Sequence, residues 1–515
     1  MVQTTLIRLL DPTEPKSSFA IQPAAARRNR WLIASNGAGT LSLLFLFSLT
    51  MAIASPAQTF TTITVFNDTT NSAQPNGPLV QGLDGNLYGT TVGQNTSIAG
   101  GYQDRGTVFK ITPKGTLTTV YTFCSQTACA DGGNPLAGLL LGTDGNFYGT
   151  TSFGTNRQHG AIFKITPQGA LTVLYRLCLR AACADGINVL TPLIQGADGN
   201  LYGAASAGGI GNCFAGCGSI FKLYPSGTLA VLHKFCETDC ADGAGPNGVI
   251  QATDGNLYGT SGANGGYTPV YGTVFRITTT GTLTILHSFC SQSNCSDGGS
   301  PKGGLVQGSD GDLYGTTQFR LGEPGGEVFK STLGGGLTPI YDFCSQSNCD
   351  DGATPAGELI QGTDGNFYGT TPSGGTSFGG TLFRLTPGGT LTVLHNFPSW
   401  RRDYPGVMQA TDGNFYGTTQ DKAKNYYGIV FREAMGLGPF VETVPTSGKV
   451  GARITILGTN LTGTTAVRFN GIEAAYTVVS SSEITTTVPT GATTGTVEVK
   501  TPTKTLSSNV VFRVR

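Results

Sequence analysis

What this chain lacks narrows its function first. Charge is scarce: 12% of residues are Asp, Glu, Lys or Arg, and the formal net charge is zero. Without a basic excess there are few counterions to release, so nucleic acid is excluded as a partner. There are four histidines. Three of them, His233, His287 and His395, stand where other copies of an internal repeat carry Tyr121, Tyr175 and Tyr341, and His159 is alone. A residue interchangeable with Tyr reads as packing, so no catalytic set emerges. No nucleophile elbow, metal-binding His pair or phosphate loop is present. No stretch supplies the clustered Asp ligands of a calcium loop. The sequence therefore calls for no cofactor and no metal.

Long apolar runs are also missing, with one exception from Leu41 to Ile53, preceded by Arg27, Arg28 and Arg30. That run is too short to span a bilayer comfortably. A positive flank, a short apolar core and then small residues make a secretory signal. Residues 1–57 are read as a signal peptide with a long positive flank, cut near Ala54 or Ala57, with an uncleaved anchor as the alternative. The expectation is an exported chain, secreted or attached to the cell envelope, with no membrane span after cleavage.

What is present is glycine, 77 residues, and a repeat. Asp84-Gly85-Asn86-Leu87-Tyr88-Gly89-Thr90 returns in similar form at Asp144, Asp198, Asp254, Asp310, Asp364 and Asp412. A recurrence at steps of 48 to 60 residues means one supersecondary unit copied many times. Each copy holds four strand-like pieces, a to d. In the second they are Ala137–Leu141, Phe147–Thr151, Ala161–Thr166 and Leu171–Leu177. Asp-Gly between apolar strands is a hairpin signal, because Gly accepts positive φ and Asp bonds its own backbone. Four antiparallel strands per copy predict one blade of a β-propeller.

The two ends of the repeat region predict how it closes. The seventh copy has a, b and c, ending near Glu433, but no d. The stretch Phe60–Phe66 resembles a d strand with nothing before it. It predicts a latch that completes the last blade and leaves no open sheet edge. The fold class expected is all-β: a seven-bladed propeller over residues 58–433, a linker at 434–440, and an immunoglobulin-like β-sandwich at 441–515. Strand alternation places the short a–b and c–d turns on one face. The longer, more varied b–c and d–a loops share the other face, where binding is expected.

The repeat Gly-Thr-Asp-Gly-Asn-Phe-Tyr-Gly-Thr-Thr, followed by Gly-Thr-Val-Phe-Lys-Ile-Thr-Pro, resembles the bacterial GloVer tandem-repeat family over roughly residues 60–433. That resemblance implies a β-propeller-like surface or export protein without an assigned activity. The tail resembles the IPT/TIG immunoglobulin-like family through Pro445–Gly448, Ile454–Asn460, Val467–Gly471, Val488-Pro489 and Gly495. This second resemblance implies a spacer or interaction module of cell-surface proteins.

The twelve cysteines fall into six close pairs: Cys124/Cys129, Cys178/Cys183, Cys213/Cys217, Cys236/Cys240, Cys290/Cys295 and Cys344/Cys349. An even count in an exported chain argues for local disulfides. The rival, zinc, needs four ligands at one point, and pairs on separate blades do not converge. Asp131, Asp185, Asp242, Asp297 and Asp351 follow five of the pairs. They read as turn residues, with a ring of ligand-binding carboxylates as the alternative. In the last d–a loop the Cys pair gives way to Trp400, Arg401 and Arg402, which suit stacking on a sugar or aromatic ligand. Loop aromatics Tyr102, Tyr267 and Tyr426 join them as candidate ligand-binding residues; packing against their own blades is the competing reading. The function expected is non-catalytic binding or scaffolding of a polysaccharide or surface protein. The alternative is an enzyme, hydrolase or lyase, acting on extracellular polysaccharide through carboxylates paired across blades.

Overall fold

The computed structural model describes residues 58–515 apart from 67–73, 94–96, 99–100, 103–104, 155–158, 210–212, 214–215, 238–239, 263–270, 320–324, 400, 403–405 and 422–427. Side chains at 97–98, 101–102, 401–402 and 421 are likewise outside the description. The described residues are strands, turns and short 3-10 turns. Each repeat forms one antiparallel sheet in the order a-b-c-d. In the second repeat the strands are Leu140–Leu141, Phe147–Thr151, Ala161–Ile165 and Leu171–Arg176. Strand a is shorter than the sequence suggests. Gly138 there abuts Pro78 of the neighbouring repeat, so this edge is occupied by contact between sheets rather than by ladder pairing.

The recurring motif has a physical explanation at each position. Gly85 adopts φ 77° at the hairpin tip. Asp84 Oδ1 accepts from the Asn86 amide at 3.1 Å, and Oδ2 accepts from Asn86 Nδ2 at 2.7 Å and from the Tyr88 hydroxyl at 2.8 Å. Tyr88 is fully buried, and this carboxylate satisfies its hydroxyl. The Tyr-to-Asp bond recurs in all seven copies. Gly89 is required by its neighbour on strand c. A Cβ there would lie 2.5 Å from the Phe109 ring, and the same clash recurs from Gly149 against Phe163 to Gly417 against Phe431. Turn and core are thus written in one heptapeptide.

Aromatic contacts join successive sheets. Tyr88 lies 4.1 Å from Phe147 of the next repeat, and Tyr368 lies 3.9 Å from Phe415. Phe123, after strand d, packs edge-on against Phe163 of the following repeat at 5.2 Å.

The seventh sheet contains Val407–Gln409, Phe415–Asp421, Ile429–Ala434 and the strand Thr59–Val65 from the other end of the repeat region. Thr59 pairs with Ala434 and Val65 with Ile429. Phe60 stacks on His395 and Phe431. Phe66 then meets Phe109 of the first repeat at 5.2 Å, edge-on, as Phe123 meets Phe163.

The tail holds two four-stranded sheets, one centred on Arg453–Leu457 and Glu483–Thr487, the other on Ala466–Phe469 and Val497–Lys500. Ile454, Ile456, Val467, Phe469, Ile484, Val497 and Val499 fill the space between them.

Candidate functional site

The repeats offer two faces, and the structure treats them differently. On the short-turn face, a glutamine ends strand a in six of the seven copies. Its amide oxygen accepts from a backbone N–H in the preceding repeat's turn: Thr143 to Gln195, Ala197 to Gln251, Thr253 to Gln307, Ser309 to Gln361 and Thr363 to Gln409, all at 2.8–2.9 Å. Thr411 of the seventh repeat donates in the same way to Gln81 of the first, at 2.9 Å. The second copy breaks the series with Leu141. Lys164, Lys222 and Lys330 on strand c reach the turn carboxylates of Asp144, Asp198 and Asp310 at 2.7–2.8 Å. Burial pushes the Asp144 and Asp198 carboxyls up, but hydrogen bonds from these lysines and the neighbouring Asn side chains outweigh it and bring each pKa down to about 2.

The tail sits on this same face. Ser482 Oγ donates to Leu83 O at 2.7 Å, and the Thr411 and Thr459 hydroxyls share a 2.8 Å bond. Arg513 donates to Ala252 O at 3.3 Å and Arg515 to Ala197 O at 2.9 Å. These contacts reach turns of the first, third, fourth and seventh repeats.

The long-loop face carries the cysteine loops. Cys124 and Cys129, Cys178 and Cys183, Cys213 and Cys217, Cys236 and Cys240, Cys290 and Cys295, and Cys344 and Cys349 all lie at disulfide distance. The second cysteine of a pair does more than the sequence reading gave it. Cys129, Cys240 and Cys349 were expected only as the far halves of staples, yet each takes a left-handed backbone, with φ of 55°, 57° and 56°. L-residues rarely adopt that conformation. It turns each carbonyl back into the loop, where Cys129 O accepts from Gly132 N at 3.0 Å, Cys240 O from Gly243 N at 3.0 Å, and Cys349 O from Gly352 N at 2.9 Å. Cys183 and Cys295 repeat the turn, receiving Gly186 N and Gly298 N. These cysteines are therefore turn-forming residues as well as partners for a sulfur.

The Asp that follows each Cys-x4-Cys pair is buried and grips the loop. Asp131 Oδ2 accepts from Ser125 N at 2.9 Å and from the Tyr121 hydroxyl at 2.8 Å, while Oδ1 accepts from Gln126 N at 3.3 Å. Asp185, Asp297 and Asp351 repeat the arrangement. Carboxylates committed inside the protein are poorly placed to form a ligand ring. Histidine proves more than packing here. His233 Nε2 meets Asp242 Oδ2 at 2.8 Å and His287 Nε2 meets Asp297 Oδ2 at 3.1 Å, so His and Tyr are alternative anchors for one carboxylate.

Two places hold more neighbours than the spacing of the sequence shows. Cys213/Cys217 and Cys236/Cys240 belong to the same repeat, and the sulfurs of Cys213, Cys217 and Cys236 lie within 4.8 Å of one another. His159 is not alone either, because a ring nitrogen lies within 4.8 Å of the Cys178 and Cys183 sulfurs. Each cluster offers three ligand atoms, one fewer than a closed zinc site takes.

Of the ligand-binding candidates, Trp400, Tyr267 and Tyr426 lie outside the described residues. Tyr102 and the pair Arg401–Arg402 lie on two-residue strands, the latter beside Gln420 and Asp421. Other loop aromatics divide. Phe153 lies under the Arg105 guanidinium at 3.9 Å, and Phe319 packs edge-on to Tyr271. Phe378 is 66% exposed.

Sequence reading missed Glu358. It occupies the strand-a position held elsewhere by Pro78, Gly138, Pro192, Gly248, Gly304 and Gly406. Its carboxylate lies over Gly304, where a Cβ would come within 2.6 Å of Oε1. Burial raises its pKa to about 7. Reading six residues back from each turn Asp exposes it.

Comparison with known proteins agrees with the repeat pattern. The Gloeobacter/Verrucomicrobia repeat model matches residues 33–242 and 211–431, and the IPT/TIG domain model matches 440–514. No curated protein matches the chain. Similar solved structures include a provisionally assigned gluconolactonase, 11% identical, covering 75% of this chain and 94% of its own, with a TM-score of 0.38. Another is the extracellular domain of a provisionally assigned hybrid two-component system from B. thetaiotaomicron, 13% identical, covering 84% and 52%, with a TM-score of 0.44. A third, a Bacteroides thetaiotaomicron protein of unknown function, is 14% identical over 73% and 76%, with a TM-score of 0.39. At these scores the likenesses say nothing of what this chain does. The family models cover most of its length, and the chain belongs to the Gloeobacter/Verrucomicrobia repeat family, with an IPT/TIG domain following the repeats.

Proposed function

We propose that the repeat sheets close into a seven-bladed propeller, and that this exported protein works without catalysis, binding a glycan or a protein through the long-loop face. Closure is supported by the Thr411–Gln81 bond and by the packing of Phe66 on Phe109, each repeating a contact made between consecutive repeats. The observation that carries the functional reading is the position of the tail. It spends the short-turn face on contacts within the chain, leaving the varied loops of the other face for a partner. Six cysteine pairs at disulfide distance suit an oxidising compartment. Among the described residues no helix is long and apolar enough to cross a membrane. Among the described strand-a residues Glu358 is the single acid, whereas glycoside hydrolysis commonly uses two carboxylates about a bond.

A glycan array and a surface-protein pull-down with the exported chain test this reading. Binding that weakens on Trp400→Ala or Arg402→Ala, and persists on Ser482→Ala, is the expected result. No ligand on either assay, or none whose binding responds to a loop substitution, would overturn it.

A further inference from the structure

A second surface, separate from the long-loop face, has the makings of a binding site. Where the tail meets the turns of the second, third and fourth repeats, a cleft of about 1080 Å³ remains open. Ligand pockets commonly occupy about 300–1,000 Å³ and favour domain junctions. Leu140, Ile194 and Val514 contribute apolar surface, and threonine and serine hydroxyls such as Thr253, Thr455 and Ser447 line the walls. Three guanidinium groups point the chemistry: Arg453, Arg513 and Arg515 all line the cleft. Among the described residues none of the three is in an ion pair.

The acids nearby are already engaged. Asp198 Oδ2 is held by Lys222 and Tyr202, each at 2.8 Å. Asp254 Oδ2 accepts from Asn256 Nδ2 and Tyr258, again at 2.8 Å. Arg513 and Arg515 spend donors on Ala252 O, Ala197 O and Ser447 Oγ, which leaves further N–H groups on both. Burial and the nearby Arg515 lower the Arg513 pKa, and the Asp254 carboxylate only partly offsets them.

We propose that this junction cleft binds a carboxylated oligosaccharide, a chain of uronic acid units. The guanidinium groups would take the carboxylates in bidentate fashion, the Thr and Ser hydroxyls would meet sugar hydroxyls, and the aliphatic floor would cover the C–H face of a ring. Hydroxyl-rich walls favour a saccharide over an acidic peptide.

The test is calorimetric titration of the full exported chain with oligogalacturonides, with the same oligomers methyl-esterified, and with poly-glutamate. Among the described residues Arg453 makes no side-chain hydrogen bond to the repeats, so Arg453→Gln leaves tail docking intact, and Arg513→Gln serves as the second variant. Saturable binding of the acid oligomer, lost on esterification and weakened about tenfold by Arg453→Gln, is expected. It should survive Arg402→Ala on the opposite face. Absence of saturable binding, binding indifferent to Arg453→Gln, or tighter binding of poly-glutamate would each overturn the proposal.

Discussion

Replacing Gln81 by Leu tests whether the stitch between the last and first repeats stabilises the fold. The natural Leu141 shows that one copy does without this glutamine. Gln81 is 5% exposed and Thr411 is 0% exposed, so the Thr411 N–H that Gln81 satisfies has no ready substitute in water. Orphaning a buried donor costs about 1–3 kcal/mol, and we take about 2 kcal/mol here. Gln195→Leu removes the equivalent bond from Thr143, which is exposed and can be rehydrated, so its cost is about 0.5–1 kcal/mol. At about 2.1 cal/mol/K per residue over roughly 370 residues, 2 kcal/mol lowers the melting midpoint by about 2–3 °C. Differential scanning calorimetry of both variants beside the parent reads this directly. If Gln195→Leu costs as much as Gln81→Leu, or if Gln81→Leu costs nothing, burial is not what gives the closing bond its value.

Three further outcomes are expected. Glu433, fully buried on the strand that pairs with Thr59–Val65, has its pKa raised by burial to about 7. A carboxyl raised above its unfolded value contributes stability below about pH 4.5 and loses it as the pH climbs through 7, so Glu433→Gln should flatten that decline in urea melts at pH 5 and 8. Asp297 behaves in the opposite sense. Burial pushes its carboxyl up, but hydrogen bonds from Ser291 outweigh this and hold it below the usual range. Its stabilisation is therefore present near neutrality and fades as the pH falls below about 4, and Asp297→Ala should cost about 2–4 kcal/mol at pH 7 and expose the Cys290–Cys295 loop to protease. Ser482→Ala with Thr459→Val removes two of the bonds that dock the tail; small-angle scattering should show a larger radius of gyration, while circular dichroism stays unchanged.

The fold was legible because its determinants are local and repeated. Asp-Gly-Asn at the tip, Tyr anchored on Asp, Gly beneath Phe: each lies within a few residues or one hairpin, so sequence spacing carries it. The last-sheet latch was legible for the same reason, since Phe60–Phe66 aligns without a gap on Leu117–Phe123 and shares its Thr-Thr pair and final Phe. What stayed hidden depends on meetings between distant residues. Ser482 on Leu83 and Arg515 on Ala197 join positions hundreds of residues apart, and no local pattern announces them. The role of His233 and His287 was hidden by the choice of partner. Tyr and His read as interchangeable bulk until Asp242 and Asp297 are seen beside them. The left-handed backbone of Cys129, Cys240 and Cys349 was hidden by residue type, because a positive φ is ordinarily announced by Gly or Asn. Glu358 was overlooked because strand a has the weakest motif in the repeat.

The place of Leu141 has a mechanical consequence. Leu83 is the turn residue whose amide would be captured if position 141 were glutamine, and Ser482 fastens the carbonyl of that same residue. A set of sheets laced at every joint but one should begin to part at the bare joint, and the tail's clasp holds one side of it. Hydrogen exchange should find Leu83 the most labile of the equivalent turn amides, and more so once Ser482 can no longer hold.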